Sequence, residues 1–464
     1  MRKQGSIFWS LTLISIGVLF LLGNLSPSIN PWVVIAKFWP LLIVFWGISK
    51  LVTYLTVSDP FAVQRTRLSG GDIVLLLLIL VVGSGFSKMM PAGWWTHPAR
   101  SWTIDIDEGT SGEAFSDFEN AFTSTEELSQ ELAARENRIE IVNRYGDVEV
   151  TVHDLAQIRV VLQKKVGLSD PKEARELAET VKLRIEKVNS GYRVSTNREE
   201  LQKAQRNRLR TNLQIWVPRA TEVNLTNKYG AVSVERLAGQ QRVSNEYGSL
   251  SVREIAGPVD ISNRYGSIEA VQITGNCRVE NMYGSIRLDE VGGAVDLENG
   301  YGSVALARIK GTAKLQHRYG ELSCQNLESS LSVEGRHVEV KASKVAGDVK
   351  VLTSYKDVEL QNVGGEIRVD GKHGDIRIAD EHSPTRPIQI DAAYSAVTIS
   401  LPRDSRFKLE VFSKYGTFSS DFDSEGDRRF SDDPSGSRLV TSHGSDGPLI
   451  RVNTSFREVR LQAS

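Results

Sequence analysis

The chain has 464 residues, with 56 Lys and Arg against 57 Asp and Glu and 40% hydrophobic residues. The balanced charge excludes a global bias toward nucleic acid, and the length leaves room for several structural units. Charge is unevenly placed, since residues 1–100 carry eight Lys or Arg against only Asp59 and Asp72.

That cationic opening contains three apolar segments, at about 7–25, 32–55 and 73–90. The first two are long enough to cross about 30 Å of hydrocarbon, and the third, built on the run Ile73 to Val82, is marginal. Residues 1–90 therefore read as an α-helical transmembrane region of about three spans. Trp9, Trp32, Trp39, Trp46, Tyr54, Trp94 and Trp95 are partly placed where an interfacial belt would lie. A cleaved signal peptide is the competing reading of the first segment, but no clear small-residue cleavage site follows it. Arg2 and Lys3 precede the first span, and Lys50, Arg65 and Arg67 lie between the second and third. The positive-inside rule then places the amino terminus in the cytoplasm and everything after about Lys88 outside. If the third segment does not cross, the remainder is cytoplasmic.

Residues 91–138 read as a polar stalk or linker, with a possible short helix over Thr125 to Arg135. Residues 139–222 read as a capping segment. It holds Asn143-Arg144-Tyr145-Gly146, one copy of a motif that recurs later, then a strand-like run from Ile158 to Val166. Asp170-Pro171 opens a helix expected over about 171–187, since Asp before Pro suits a first turn. Strands are expected at Tyr192 to Thr196 and Leu213 to Val217. The basic residues Arg206, Arg208 and Arg210 between them read as a solvated turn rather than a nucleic-acid patch.

From 223 to 382 the chain repeats. Tyr-Gly recurs every 18 residues at Tyr229, Tyr247, Tyr265, Tyr283, Tyr301 and Tyr319, followed by Gly230, Gly248, Gly266, Gly284, Gly302 and Gly320, and His337, Tyr355 and His373 keep the phase. A period of this kind means stacked coils, none able to bury its apolar side alone. Apolar residues fall three, five, eight, twelve and fourteen positions after Tyr, as in Leu250, Val252, Ile255, Val259 and Ile261. Their parity flips between Tyr and plus three and between plus five and plus eight, which an uninterrupted strand cannot do. The chain must turn there. Glycine at plus one, and again at plus ten (Gly239, Gly257, Gly275, Gly293, Gly311, Gly347, Gly365), marks those corners. The expected fold is an all-β solenoid, a parallel β-helix of 18-residue coils with an inserted helix. About nine regular coils at the strand spacing would make a rod of roughly 43 Å. After 382 the period drifts, and 383–464 reads as irregular terminal coils closed by a last strand pair from Pro448 to Leu461.

Two residues before Tyr stand Asn227, Asn245, Asn263, Asn281 and Asn299, then His317, Gly335, Thr353 and Gly371. Stacked amides can hydrogen-bond from coil to coil, so this column reads as a structural ladder. Alternation puts Tyr on the same, inward side, although the glycine corner leaves open an exposed aromatic stripe that would meet glycan or peptide. Cys277 and Cys324 fall in buried columns and read as small apolar fillers. Glu235, Glu254, Glu269 and Asp289 fall at outward positions. The seven His residues show no ligand spacing, and no nucleophile or phosphate-loop motif stands in a supporting context. No catalytic, metal or cofactor residue is expected, and the chain reads as a non-enzyme.

The N-x-Y-G-S-[VIL]-x-[VIL] units, Ile399-Ser400-Leu401-Pro402 and the closing Gly447-Pro448-Leu449-Ile450-Arg451-Val452 resemble the bacterial putative-adhesin domains of unknown function that fold as β-solenoids. Gly5-Ser6-Ile7-Phe8-Trp9, Gly17 to Leu22, Phe38-Trp39-Pro40-Leu41-Leu42-Ile43 and Gly47 resemble the LiaI/LiaF-type transmembrane region of bacterial envelope-stress proteins. The first resemblance implies an envelope-binding scaffold, the second a sensor or regulator of a signalling partner. Together they imply a bacterial cytoplasmic membrane protein with an extracytoplasmic solenoid. The expected partners are the lipid bilayer and an envelope protein or glycan, with self-association by uncapped coils a further possibility.

Overall fold

Two strands per coil, each hydrogen-bonded to its equivalent 18 residues away, build the array. In the computed structural model, which describes residues 118, 121–132, 137–188, 191–423, 431–433 and 436–464, Asn245 pairs with Asn263 and Tyr247 with Tyr265 on one side. On the other, Leu250 pairs with Ile268 and Val252 with Ala270. The register places like above like through about ten turns of a β-solenoid. The three apolar segments, and the expected stalk as far as residue 117, lie outside the described residues.

The expected inward columns form the core. Leu250, Val252, Ile255, Val259 and Ile261, with their equivalents in the other coils, are buried between the two sheets. Cys277 and Cys324 join them, and burial pushes both thiols up to about 12, so they pack as neutral side chains. Asp289 departs from its expected outward place: it is buried and paired with Arg287 and Arg308.

The corners are built in three ways, where the sequence suggests one. At plus one, Gly146 and Gly230 through Gly320 adopt φ between 125° and 142°, a region open to glycine alone. A Cβ on Gly248 would also lie 2.1 Å from the carbonyl oxygen of Gly230 in the preceding coil. Glycines such as Gly257 at plus ten have no such φ, but a Cβ there would lie 2.3 Å from the Gly239 oxygen. Close approach, not backbone freedom, requires that column from Gly257 onward, whereas Gly239, which opens it, has a φ of 107° and nothing nearer than 3.6 Å to its Cβ position. The parity flip between plus five and plus eight is made without glycine. Arg236, Glu254, Gln272, Glu290, Arg308, Asn326, Lys344 and Asn362, all at plus seven, have φ between 54° and 63°. Arg253 still pairs with Val271 and Ile255 with Ile273, so this left-handed residue is an extra one in the strand. It costs about 1–2 kcal/mol, and it turns the plus-eight side chain inward.

The amino-terminal end differs from expectation. Strand β1 (Phe122–Glu131) occupies the segment expected as a helix and pairs antiparallel with β4 (Gln157–Val166). Alternating half-buried and exposed side chains on β1 suit a strand lying on a sheet end. Strands β2 (Arg138–Val142) and β3 (Val148–Val152) flank Tyr145 and stack directly on the Tyr229 coil, so the isolated motif is the first coil of the array. The chain between them and Glu222 folds over that coil. Strand β6 (Gly191–Thr196) continues the β2 sheet, and β5 (Leu183–Val188) closes it antiparallel. Strand β7 (Leu209–Val217) continues the β3 sheet, β4 follows antiparallel, and β1 closes it beyond β4. Helix α1 (Pro171–Thr180) is shorter than expected because the chain needs Leu183 onward as strand β5. The buried Lys164 ammonium holds the helix end, donating to the carbonyls of Ala178 and Val181 and pairing with Glu126 at 2.6 Å.

At the other end, chain order and spatial order part. The strand Leu449–Ser455 pairs on one side with Ile388–Ala393 and on the other with Phe407–Lys414. Val459–Ala463 lies likewise between Val397–Leu401 and Phe418–Ser420. The last segment of the sequence is therefore an interior coil. Phe407–Lys414 ends the stack, covered antiparallel by Gly436–His443. Truncation after Gly447 should thus strip amide-exchange protection from both Ile388–Ala393 and Phe407–Lys414. Loss confined to the residues next to the cut would contradict this topology.

Candidate functional site

The inner side of the Tyr-Gly corner is filled by the ladder column. The amides of Asn245, Asn263 and Asn281 donate to the carbonyls of Gly230, Gly248 and Gly266 in the preceding coils at 3.0, 3.1 and 3.2 Å. Amide-to-amide bonds, expected throughout, join only Asn143 to Asn227 and Asn227 to Asn245 among the described residues. Farther along, the Oδ1 atoms of Asn263, Asn281 and Asn299 find no partner. The glycine carbonyl left by the turn is the better acceptor because it points into the same corner.

With the corner occupied, Tyr does not enter the core. Its rings stack along the outside: from Tyr229 through Tyr319, His337, Tyr355, His373, Tyr394 and Phe456, centroids are 4.7–5.2 Å apart and planes within 16°. Tyr283 is 42% exposed and Tyr415, which stacks on Phe456 at the far end, 69%. The inward place that alternation suggests for Tyr is thereby corrected. The ten steps from Tyr229 to Phe456 make a stripe of roughly 49 Å at the strand repeat. Centroids this far apart with near-parallel planes mean offset stacking, a favourable arrangement for aromatic quadrupoles.

The geometry decides what the stripe can touch. Each ring's faces are covered by its neighbours, leaving ring edges outward, one ring per coil, with a phenol only where that ring is Tyr. Burial of the ring and then the Glu246 carboxylate hold the Tyr247 phenol above its usual range, so it stays protonated. Lys228 and Arg264 flank the stripe and share Glu246, each at 3.7 Å. On its other side Ser285 and Ser303 are hydrogen-bonded at 2.9 Å. Two routes keep the stripe continuous as the sequence changes. Tyr355, His373, Tyr394, Tyr415 and Phe456 themselves take φ of 60–69°, replacing the glycine turn. At the junction Gly335 vacates the ladder, and the buried Val338 fills the space, its Cβ 3.1 Å from where a Gly335 Cβ would be. Phe456 was not singled out in the sequence, although Val459 and Leu461 stand three and five residues after it, as in every coil. Among the described residues no group of three or more His, Cys, Asp or Glu is placed to hold a metal.

His317 is buried in the ladder column, with Nδ1 3.2 Å from the Asn299 carbonyl and Nε2 3.0 Å from that of Gly302. A neutral ring has one N–H and can satisfy only one of them. Burial, opposed by these two carbonyls, lowers its pKa below the usual value near 6.5. The folded state then binds fewer protons than the unfolded state, so stability is full above that value and falls as pH drops through it. His317→Asn should remove up to about 1.4 kcal/mol per pH unit of this acid-side loss. Denaturant titrations at pH 7.5 and 5 check it, and equal slopes for both proteins would contradict it.

Residues 7–51 match the LiaI-LiaF-like transmembrane region, and residues 136–351 and 311–455 match the Toastrack DUF4097 family. No curated protein matches the chain. Similar solved structures include a "putative adhesin" from Bacteroides fragilis, 14% identical over 60% of this chain and 96% of that one, TM-score 0.21. A "putative cell adhesion protein" from Clostridium sporogenes is 7% identical over 74% and 100%, TM-score 0.16. A "putative lipid binding protein" from Parabacteroides distasonis is 12% identical over 60% and 96%, TM-score 0.28. TM-scores this low carry no argument about the present chain. The Toastrack matches together span 136–455, well over half the sequence, and the chain belongs to the Toastrack DUF4097 family, with a LiaI-LiaF-like transmembrane region ahead of the solenoid.

Proposed function

We propose that this protein is a non-enzymatic scaffold of the bacterial cell envelope. Three spans anchor it in the cytoplasmic membrane with its amino terminus inside, and the solenoid binds an extended envelope protein or glycan outside. The aromatic stripe is the observation that carries this reading. Half-exposed Tyr rings recur at nearly constant spacing, and a surface of that kind matches a partner with its own repeat. Because ring faces are closed off within the row, the partner meets phenol oxygens and ring edges rather than lying flat on a ring. A division into spans in 1–90, a linker ahead of β1, a cap folded over the Tyr145 coil, a regular array and terminal coils belongs to the same proposal, as does the ladder's purely structural role.

The LiaI-LiaF-like match favours a second reading, in which the spans engage a sensor of envelope stress and the solenoid is its sensing or inhibitory module. Deletion that changes an envelope-stress transcript while the protein retains no envelope ligand would select it. For the topology common to both, alkaline phosphatase fused after Ser464 should be active in cells. A fused reporter working only in the cytosol would overturn it.

A further inference from the structure

The amino-terminal end of the stripe carries an arginine cluster that the scaffold reading leaves unused. The Glu199 carboxylate receives three guanidiniums: Arg144 at 3.0 Å, Arg198 at 2.9 Å and Arg206 at 3.0 Å. Arg210 stands beside them. Its guanidinium and that of Arg198 lie 5.4 and 5.5 Å from the centre of the Tyr145 ring, and Arg210 also covers Phe118 at 4.6 Å. Among the described residues Arg210 has no acidic partner, and the nearby Glu200 is engaged by Arg184. Among the described residues, four cations thus face one carboxylate.

Arg198 is the anchor. It is 6% exposed, donates from Nη2 to the Arg206 carbonyl at 2.8 Å, and keeps a buried Nε with no partner. Burial, with the charges of Arg144 and Arg206, works against its protonated form. Excess cations held this close repel one another, and a structure tolerates them where an anion completes the set.

We propose that Arg144, Arg198, Arg206 and Arg210 form a binding site for a phosphate-bearing anion at the Tyr145 end of the stripe. Guanidinium forks suit phosphate oxygens, and the aromatic floor of Tyr145 and Phe118 holds two of those forks in place. The turn that looks merely solvated in sequence is, on this view, a receptor for a phosphate group, supplied by a lipid headgroup or by a soluble phosphate ester.

The test titrates the full chain in uncharged detergent with inorganic phosphate, followed by calorimetry, with chloride at matched ionic strength as control. Saturable phosphate binding is expected, weakened at least tenfold in Arg206→Gln/Arg210→Gln, both on the solvent side of the cluster and outside the core. Circular dichroism confirms that this variant folds, and Lys408→Gln, remote in the terminal coil, should bind as the native chain does. Absence of saturable binding, equal heats with chloride, or affinity unchanged in the double variant would overturn the proposal. Reconstitution distinguishes the sources. Nanodiscs of anionic lipid should weaken phosphate binding relative to zwitterionic ones if a headgroup occupies the site, and leave it unchanged if the phosphate is soluble; either result supports the site.

Discussion

The hydrogen-bond ladder between successive coils fixes one distance, about 4.8 Å, at which every residue must meet its own equivalent. A side chain that cannot tolerate a copy of itself so close above and below is excluded from that column. Glycine at plus ten is the clearest case, because the backbone of Gly239 stands where a Gly257 Cβ would be. Glycine at plus one is held by both this approach and its dihedral angle. Valine, isoleucine and leucine stack on themselves without loss, and they fill the core columns.

The same distance governs polar groups. Asn in the ladder does not mainly bond to Asn. It reaches back to the carbonyl that the glycine turn of the preceding coil leaves unpaired in the interior, where an unmet acceptor would cost about 1–3 kcal/mol. Once that amide fills the corner, the Tyr beside it has only the rim to occupy. The stripe is therefore a consequence of how the backbone corner is satisfied. Where glycine no longer makes the turn at plus one, as at Tyr355, His373 and Tyr394, the aromatic residue adopts the left-handed angle itself, whereas His337, followed by Val338, does not. The row of rings still passes from Tyr319 through His337 to Tyr355 with its spacing kept.

Periodicity made the coil, its register and its buried columns readable, since those depend only on neighbours in the repeat. Elsewhere, distant chain segments decide. Nothing local to Phe122–Glu131 tells a strand from a helix; its antiparallel partner, Gln157–Val166, settles that. Nor does alternation in Leu449–Ala463 tell that these strands lie between two earlier segments. The left-handed residues at plus seven could be inferred as a corner, but their identity was hidden because they are charged or amide residues rather than glycine. The arginine cluster draws on Arg144 and on residues more than fifty positions later, so only the part from Arg206 to Arg210 was visible as a run.

A stack of this kind has few ways to make a site, because every coil repeats its neighbour. Distinct chemistry gathers where the repeat stops, as at Tyr145, and collective chemistry runs along a column, as in the stripe. The central claim is that this column meets the partner. A photo-crosslinking phenylalanine analogue placed at Tyr283 or Tyr301 in living cells, against the same residue at Arg278 on an outward sheet face, tests it most directly. The account predicts a discrete adduct from the two stripe positions and none from Arg278. Adducts of equal yield from all three, or from Arg278 alone, would contradict it.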